Sequence, residues 1–243
     1  MNSSAKEIMI TSREKILNEV RKATAIPSQL PTSPDNIDQR IAKSLASITP
    51  KGNEALREQF KKELELVSGE FHLVRDQEEA AALVSIITSQ SGYKKLAVSG
   101  EELCQDIARR VNEKNLDIQL IYATKIEHPK RKHELASIPA SLVEASFAIA
   151  DTGSLVFLYD ESRTSLPHFL SDCIFVVIKQ QQIIANQFDL FNKLSVEKAK
   201  NMVFVTGPSR TADIEKVLTL GAHGPRRLIV MMLEMGVKSS NLT

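Results

Sequence analysis

The sequence has few of the residues on which metal and redox sites depend. Of its 243 residues only two are cysteine and none is tryptophan. Cys104 and Cys173 stand alone, with no CxxC motif, and two separate thiols cannot hold a zinc ion or an iron–sulfur cluster. No GxGxxG motif follows a predicted strand either. We therefore expect no metal site and no cofactor in this chain, and two buried cysteines that serve packing.

An excess of charge and long apolar segments are also lacking. The chain has 31 basic and 30 acidic residues, a net charge of +1, so nothing in its electrostatics favours nucleic acid or an anionic membrane surface as a partner. Its longest apolar runs have six residues, whereas a membrane span takes about 20. The first 20 residues lack the apolar stretch of a signal peptide. We expect a cytoplasmic protein without a membrane span.

The composition of the first 52 residues differs from that of the rest. Four of the nine prolines lie there, and Ile16, Leu17 and Val20 recur at the spacing of a short helix over residues 12–22. We predict an N-terminal helix and Pro-rich arm over residues 1–52 and an α/β domain over residues 53–243.

Short apolar runs alternate with helical patterns from residue 71 onward, which is typical of parallel βαβ units. Strands are predicted at residues 71–74, 96–99, 118–122, 147–150, 154–159, 173–178, 202–206 and 228–233. The run 173–178 is typical of a central strand covered on both faces.

Capping signals and apolar spacing predict the helices. One begins at Asn53 and ends at Gly69, and two others begin at the pairs Asp76/Glu79 and Ser99/Glu102. Further helices are predicted near residues 140–144, over 187–199 and from about 211 to 218. The basic segment 125–133 has no interleaved aromatic residues and is interpreted as a solvated loop.

Three segments next to predicted strands carry candidate functional residues, and we expect them to converge on one pocket at the carboxyl edge of the sheet. The first is Asp151, Thr152, Gly153 and Ser154, directly after strand 147–150. Ligands of open α/β sheets bind beyond the carboxyl ends of strands, so Asp151 is a candidate acid or base and its neighbours are candidate ligand contacts. The alternative is a simple turn. The same four residues occur in aspartic proteases, but that chemistry needs two such carboxylates, and one copy is present.

The second segment, residues 207–215, follows strand 202–206. Ser209 and Thr211 are candidate caps of a helix whose N–H groups favour an anion, and Arg210 has the planar fork that suits a carboxylate. Asp213 adds negative charge at the same place, which disfavours a multiply charged phosphate. The alternative is a well-capped helix with a surface arginine.

The third segment, residues 221–227, precedes the last strand. His223 lies between glycines and a proline and is a candidate acid or base near neutral pH, while Gly224 and Arg226 are candidate contacts to an oxyanion. A histidine that only bonds a loop carbonyl is the alternative.

Residues 148–155, 207–215 and 221–226 resemble in order and spacing the signatures of the LUD (lactate utilization) domain family, most closely its lactate utilization protein C branch. The opening residues 12–17 are similar to the N-terminal helix of that branch. Residues 142–146 depart from the family's more Gly/Thr-containing pattern before Asp151.

The resemblance implies a three-layer α/β/α sandwich with a mostly parallel sheet, similar to the sugar-phosphate isomerase, CoA-transferase and formyltetrahydrofolate cyclo-ligase group. It also implies a part in the oxidation of L-lactate to pyruvate, alongside iron–sulfur proteins that are other chains. A non-redox subunit that binds a small carboxylate or a partner is the first hypothesis. The alternatives are an isomerase- or transferase-type enzyme using Asp151 or His223, a carboxylate- or sugar-phosphate-binding protein, and a pure assembly protein.

Overall fold

The computed structural model describes residues 12–24, 44, 50, 52–126, 134–159, 171–194, 201–212, 218–220 and 224–234. The chain divides into two units, Met1–Thr49 and Pro50–Thr243, and each is considered by itself. In the first unit, helix α1 (Ser12–Thr24) confirms the predicted helix and continues two residues beyond it. Other than Ser44, Pro50 and Gly52, the Pro-rich segment lies outside the described residues.

A six-stranded, all-parallel sheet forms the centre of the second unit. Its members in chain order are β1 (Glu70–Val74), β2 (Lys95–Val98), β3 (Gln119–Tyr122), β4 (Ala140–Glu144), β7 (Cys173–Lys179) and β12 (Arg227–Leu233). The spatial order is β1-β12-β7-β4-β2-β3. Strand β7 lies between β12 and β4, and Cys173 to Ile178 are all buried, which confirms the predicted central strand.

Helices cover one face of this sheet. They are α3 (Gln77–Gln90) and α4 (Glu102–Lys114), whose apolar sides pack on Phe175, Val177, Ile229 and Met231. Both cysteines are free thiols buried in this layer. Successive side chains of a strand point to opposite faces of a sheet, so the residues between these lie on the opposite face.

The opposite face is covered by helix α2 (Asn53–Leu66) and a second sheet. This sheet contains β5 (Phe147–Ile149), β6 (Ser154–Tyr159), β8 (Ile183–Ile184) and β9 (Asn201–Val205) in the order β8-β5-β6-β9. Phe60 and Leu64 of α2 pack with Ile174 and Val230 of the central sheet. The expected three-layer α/β architecture is confirmed, and this third layer combines a helix with the small sheet. Helix α5 (Gln187–Lys193) packs Leu190 against the outside of that sheet.

One predicted helix is a strand, and the predicted start of another also lies in a strand. Residues 140–144 form β4, paired with β2 and β7, because burial between two strands outweighs the helix propensity of Ala, Leu and Glu. Arg210–Ala212 form β10 and pair antiparallel with β11 (Leu218–Leu220), so no helix begins at Thr211. The helix predicted over residues 187–199 ends at Lys193.

Helix ends also differ from the prediction. Asp76 caps α3 through a hydrogen bond from the Glu79 backbone N–H, as predicted. Glu101, not Ser99, is the N-cap residue of α4. At the end of α2 the left-handed residue is Ser68, with φ 68°, and not Gly69, whose N–H donates to the Leu64 carbonyl in a Schellman arrangement.

Candidate functional site

The first candidate segment is the turn between two antiparallel strands. Ile149 of β5 pairs with Ser154 of β6, so Asp151, Thr152 and Gly153 lie in the turn that joins them. The backbone N–H of Asp151 donates to the Ala185 carbonyl at 3.1 Å, which ties the turn to the end of β8. The Asp151 side chain is exposed and Thr152 is half-buried.

Gly153 is buried against the backbone of helix α2. Its φ is +63°, and a Cβ there would lie 2.3 Å from the backbone nitrogen of Leu64. Only glycine permits both the left-handed conformation and this close approach. The structure therefore gives Gly153 a packing role, and its assignment as a ligand contact stays a prediction.

The second segment adjoins the first. The Ser154 hydroxyl lies 2.7 Å from the Thr206 hydroxyl, and Thr206 directly follows β9. Gly207, with φ +78°, is also pressed against α2: a Cβ there would lie 2.5 Å from the Val67 carbonyl oxygen. The last turns of one helix thus pack against both segments.

The third segment adjoins the second. The Ser209 backbone N–H donates to the Pro225 carbonyl at 2.8 Å, and a Cβ on Gly224 would lie 3.1 Å from Ser209 Cβ. The backbone N–H of Arg226 donates to the Asp172 carbonyl. Its guanidinium is 3.7 Å from the Asp172 carboxylate and 64% exposed, so it is open to a ligand.

These contacts join the described parts of all three segments in one place. The place is beyond the carboxyl ends of β5, β8 and β9 in the small sheet, but before the amino end of β12 in the central sheet. The first two segments thus follow strands of the small sheet and the third precedes a strand of the central sheet, so the place where they meet differs from the expected carboxyl edge of one sheet. The apolar runs in the sequence do not show that the strands belong to two sheets, because a strand of either sheet can bury one or both of its faces.

The electrostatics around Asp151 are acidic. Partial burial of its carboxyl raises the pKa of Asp151, the charges of Glu63 and Asp189 act in the same direction, and local hydrogen bonds oppose them. An anionic ligand is therefore better placed beside Arg226 than beside Asp151.

Not every predicted site residue can be placed. Asp213 and His223 lie outside the described residues, and Arg210 and Thr211 are described only by the backbone of β10. Thr206, Glu63 and the end of α2 belong to this neighbourhood and were not predicted. Glu63 is distant in sequence from the other members, whereas Thr206 adjoins the second segment and had a local signal, as the last residue of a predicted strand.

Within the described ranges, no group of three or more His, Cys, Asp or Glu residues is arranged to hold a metal ion. The helices among those residues are too short or too polar to cross a membrane.

Comparisons with known proteins match most of the α/β unit. The family model of the LUD domain matches residues 57–233, a range that includes all three segments. A curated lactate utilization protein C from Bacillus pumilus (strain SAFR-032) is 28% identical over 100 residues, which cover 39% of this chain and 42% of that protein. The protein of the same name from Deinococcus radiodurans is 31% identical over 111 residues, 44% of this chain and 52% of that protein.

An uncharacterized protein of Neisseria meningitidis serogroup B is 33% identical over 100 residues, 40% of this chain and 43% of that protein. The chain thus spans about half the length of the curated relatives it matches. The crystal structure of a DUF162 family protein from Deinococcus radiodurans superposes with a TM-score of 0.55 over 76% of this chain and 99% of that one, at 16% identity. This likeness establishes the shared fold.

Proposed function

The chain belongs to the LUD domain family, and from this premise we propose that it acts in lactate utilization as a subunit without a redox centre of its own. Its site binds a small carboxylate, and its partners are separate iron–sulfur proteins. The relatives named lactate utilization protein C support a role in lactate utilization. Three separate segments meet through the contacts of Ser154 with Thr206 and of Ser209 with Pro225. This meeting is the observation that supports a binding site.

Arg226 and Arg210 are the groups that we assign to the carboxylate. A guanidinium can meet a carboxylate with two parallel hydrogen bonds, and the exposed Arg226 is only 3.7 Å from Asp172, which keeps it near the site without covering it. Asp151 and His223 are the candidate groups for moving a proton.

The partners follow from the electron balance of the reaction. Oxidation of lactate to pyruvate removes two electrons and two protons, so an electron acceptor must be present. The two cysteines of this chain are buried, and a cluster held by cysteines of another chain supplies the acceptor.

Purification of the native complex by a tag on this chain tests the proposal. We expect iron–sulfur proteins to co-purify and the preparation to reduce an artificial electron acceptor when L-lactate is added. A tagged chain that purifies without such partners, or a complex that does not oxidise lactate, would overturn the subunit role.

Arg210→Lys in that complex tests the carboxylate site. Lysine keeps the charge and loses the planar fork, so we expect lactate oxidation to fall by about 5- to 150-fold, the equivalent of about 1–3 kcal/mol. Arg109→Lys is the matched control, because Arg109 lies on α4 and pairs with Asp106; its effect should stay within about 0.5 kcal/mol. Unchanged activity with an unchanged thermal melt would remove Arg210 from the site.

A second candidate is an enzyme of the isomerase or transferase type that works alone. Partial burial raises the pKa of the Asp151 carboxyl, and this favours the second candidate because a raised pKa brings a carboxyl closer to the range in which general acids work. In that case Asp151→Asn abolishes turnover by the isolated chain, whereas in the subunit role the isolated chain turns over no substrate.

A further inference from the structure

Two hydroxyl groups face each other where the first two segments of the candidate site meet. Leu155 of β6 pairs with Val205 of β9, so Ser154 and Thr206 stand opposite each other at the end of this pairing. Their hydroxyl oxygens are 2.7 Å apart, the distance of a hydrogen bond between two O–H groups. Ser154 is only 3% exposed, whereas Thr206 is exposed. One member of the pair is thus inside the protein and the other is at its surface.

The two environments fix the direction of this hydrogen bond. A hydroxyl has one proton to donate and two lone pairs with which to accept, so the shared bond uses one of the pair's two protons. A buried O–H group that donates to nothing is costly, and the Thr206 oxygen is in place to accept the Ser154 proton. Ser154 is therefore the donor, and the Thr206 proton remains on the exposed side. Since an O–H group that accepts a hydrogen bond is polarised by it, Thr206 becomes a stronger donor.

Helix α2 fixes the backbone next to this pair. Leu155 and Val205 pack with α2 on the inner face of the small sheet. Because successive side chains of a strand alternate between faces, Ser154 and Thr206 lie on the outer face. Gly207, the residue after Thr206, is pressed against the C-terminal end of α2. A donor held in this way needs little reordering when a ligand binds, and this lowers the entropic cost of binding.

The second segment links this hydroxyl to the third segment, which carries Arg226. Thr206 is three residues before Ser209, whose backbone N–H donates to the Pro225 carbonyl, and the exposed guanidinium of Arg226 belongs to the next residue. A hydroxyl proton on the exposed side recognises an oxygen that accepts a hydrogen bond, such as a carboxylate oxygen, and does not recognise a donor such as an ammonium group. The polarity of the Thr206 hydroxyl therefore agrees with that of the guanidinium.

We propose that Thr206 is a ligand-contact residue of the candidate site and that its hydroxyl donates a hydrogen bond to an oxygen of the bound carboxylate. Ser154 is a positioning residue: its buried O–H donates to Thr206 and leaves the Thr206 proton for the ligand. This inference rests on the proposed function, in which the site binds a small carboxylate, and it adds a neutral donor to the arginines assigned there. The contact transfers no proton, so it changes the affinity for the ligand.

Titration of the full chain with L-lactate and with pyruvate, followed by ligand-observed NMR, tests this contact. Thr206→Val replaces the hydroxyl with a methyl group of similar size, and we expect it to weaken binding of both acids by about tenfold or more, the effect of losing a hydrogen bond to a charged group. Thr206→Ser keeps the hydroxyl and should bind within about twofold of the unaltered chain. Thr124→Val is the matched control, because Thr124 is exposed beyond the end of β3, and it should leave binding unchanged.

Ser154→Ala separates positioning from packing, and a thermal melt of each variant checks that the fold is retained. The change should weaken binding severalfold, and adding it to Thr206→Val should cause no further loss of affinity, because both act through one hydroxyl. If the variants of this pair melt at lower temperature but the folded proteins bind as the unaltered chain does, the pair is only structural and the proposal is overturned. An unaltered chain that binds neither acid at millimolar concentration would instead overturn the carboxylate site of the proposed function together with this contact.

Discussion

At the residue scale, two glycines fix the distance between the candidate site and helix α2. Gly153 and Gly207 have φ of +63° and +78°, and a Cβ on either would meet the backbone of Leu64 or Val67 within 2.5 Å. A backbone contact cannot be relieved by a rotamer change, as a side-chain contact often can. The glycines thus let one helix hold two loops that are far apart in sequence.

Gly153→Ala should lower the free energy of unfolding by about 2–5 kcal/mol, from the left-handed conformation together with overpacking against α2. Gly92→Ala is the control, since Gly92 has a similar φ of +68° with nothing within 4 Å of an added Cβ, and only the conformational cost of about 1–2 kcal/mol applies. Urea unfolding of the two variants measures the difference. Equal losses would show that the approach to α2 is not tight.

At the element scale, the starts of α3 and α4 look alike in sequence and differ in structure. Both have a polar residue followed three positions later by glutamate. The Asp76 carboxylate accepts from the Glu79 N–H at 2.9 Å. Ser99 continues the strand ladder instead, with its N–H donating to the Leu142 carbonyl, and its buried hydroxyl has no hydrogen-bond partner within the described residues.

Asp76→Ala should therefore destabilise the protein by about 1 kcal/mol, the usual loss for an N-cap. Ser99→Ala should change the free energy of unfolding by less than about 0.5 kcal/mol, or increase it, because it removes a buried hydroxyl that gains no bond on folding. Urea unfolding at neutral pH measures both. A loss at Ser99 as large as that at Asp76 would show that the Ser99 hydroxyl is bonded in solution.

At the scale of the whole molecule, the chain combines a parallel sheet with a small mixed sheet on one face. The candidate site lies along the rim of the small sheet.

The purified chain should be colourless and carry no stoichiometric iron, zinc or flavin, because its two cysteines are separate and no dinucleotide-binding motif follows a strand. Elemental analysis together with a visible absorption spectrum of the protein checks this. A stoichiometric signal from either measurement would contradict the role of a subunit without a redox centre.

The sequence by itself determined the α/β class, the central position of residues 173–178 and the cap at Asp76, because apolar runs and capping pairs are local patterns. It did not determine that residues 140–144 form a strand. Ala, Leu and Glu in this segment favour a helix, five residues are too few to show a hydrophobic period, and only pairing with β2 and β7 decides their state. The three candidate segments and their convergence were predictable, but the contacts that join them and the two sheets that position them were not. Ser154 and Thr206 are 52 residues apart, and their contact depends on β6 pairing with β9. Strand order is a property of the folded chain: it is set by which faces are buried together, and no local pattern encodes it.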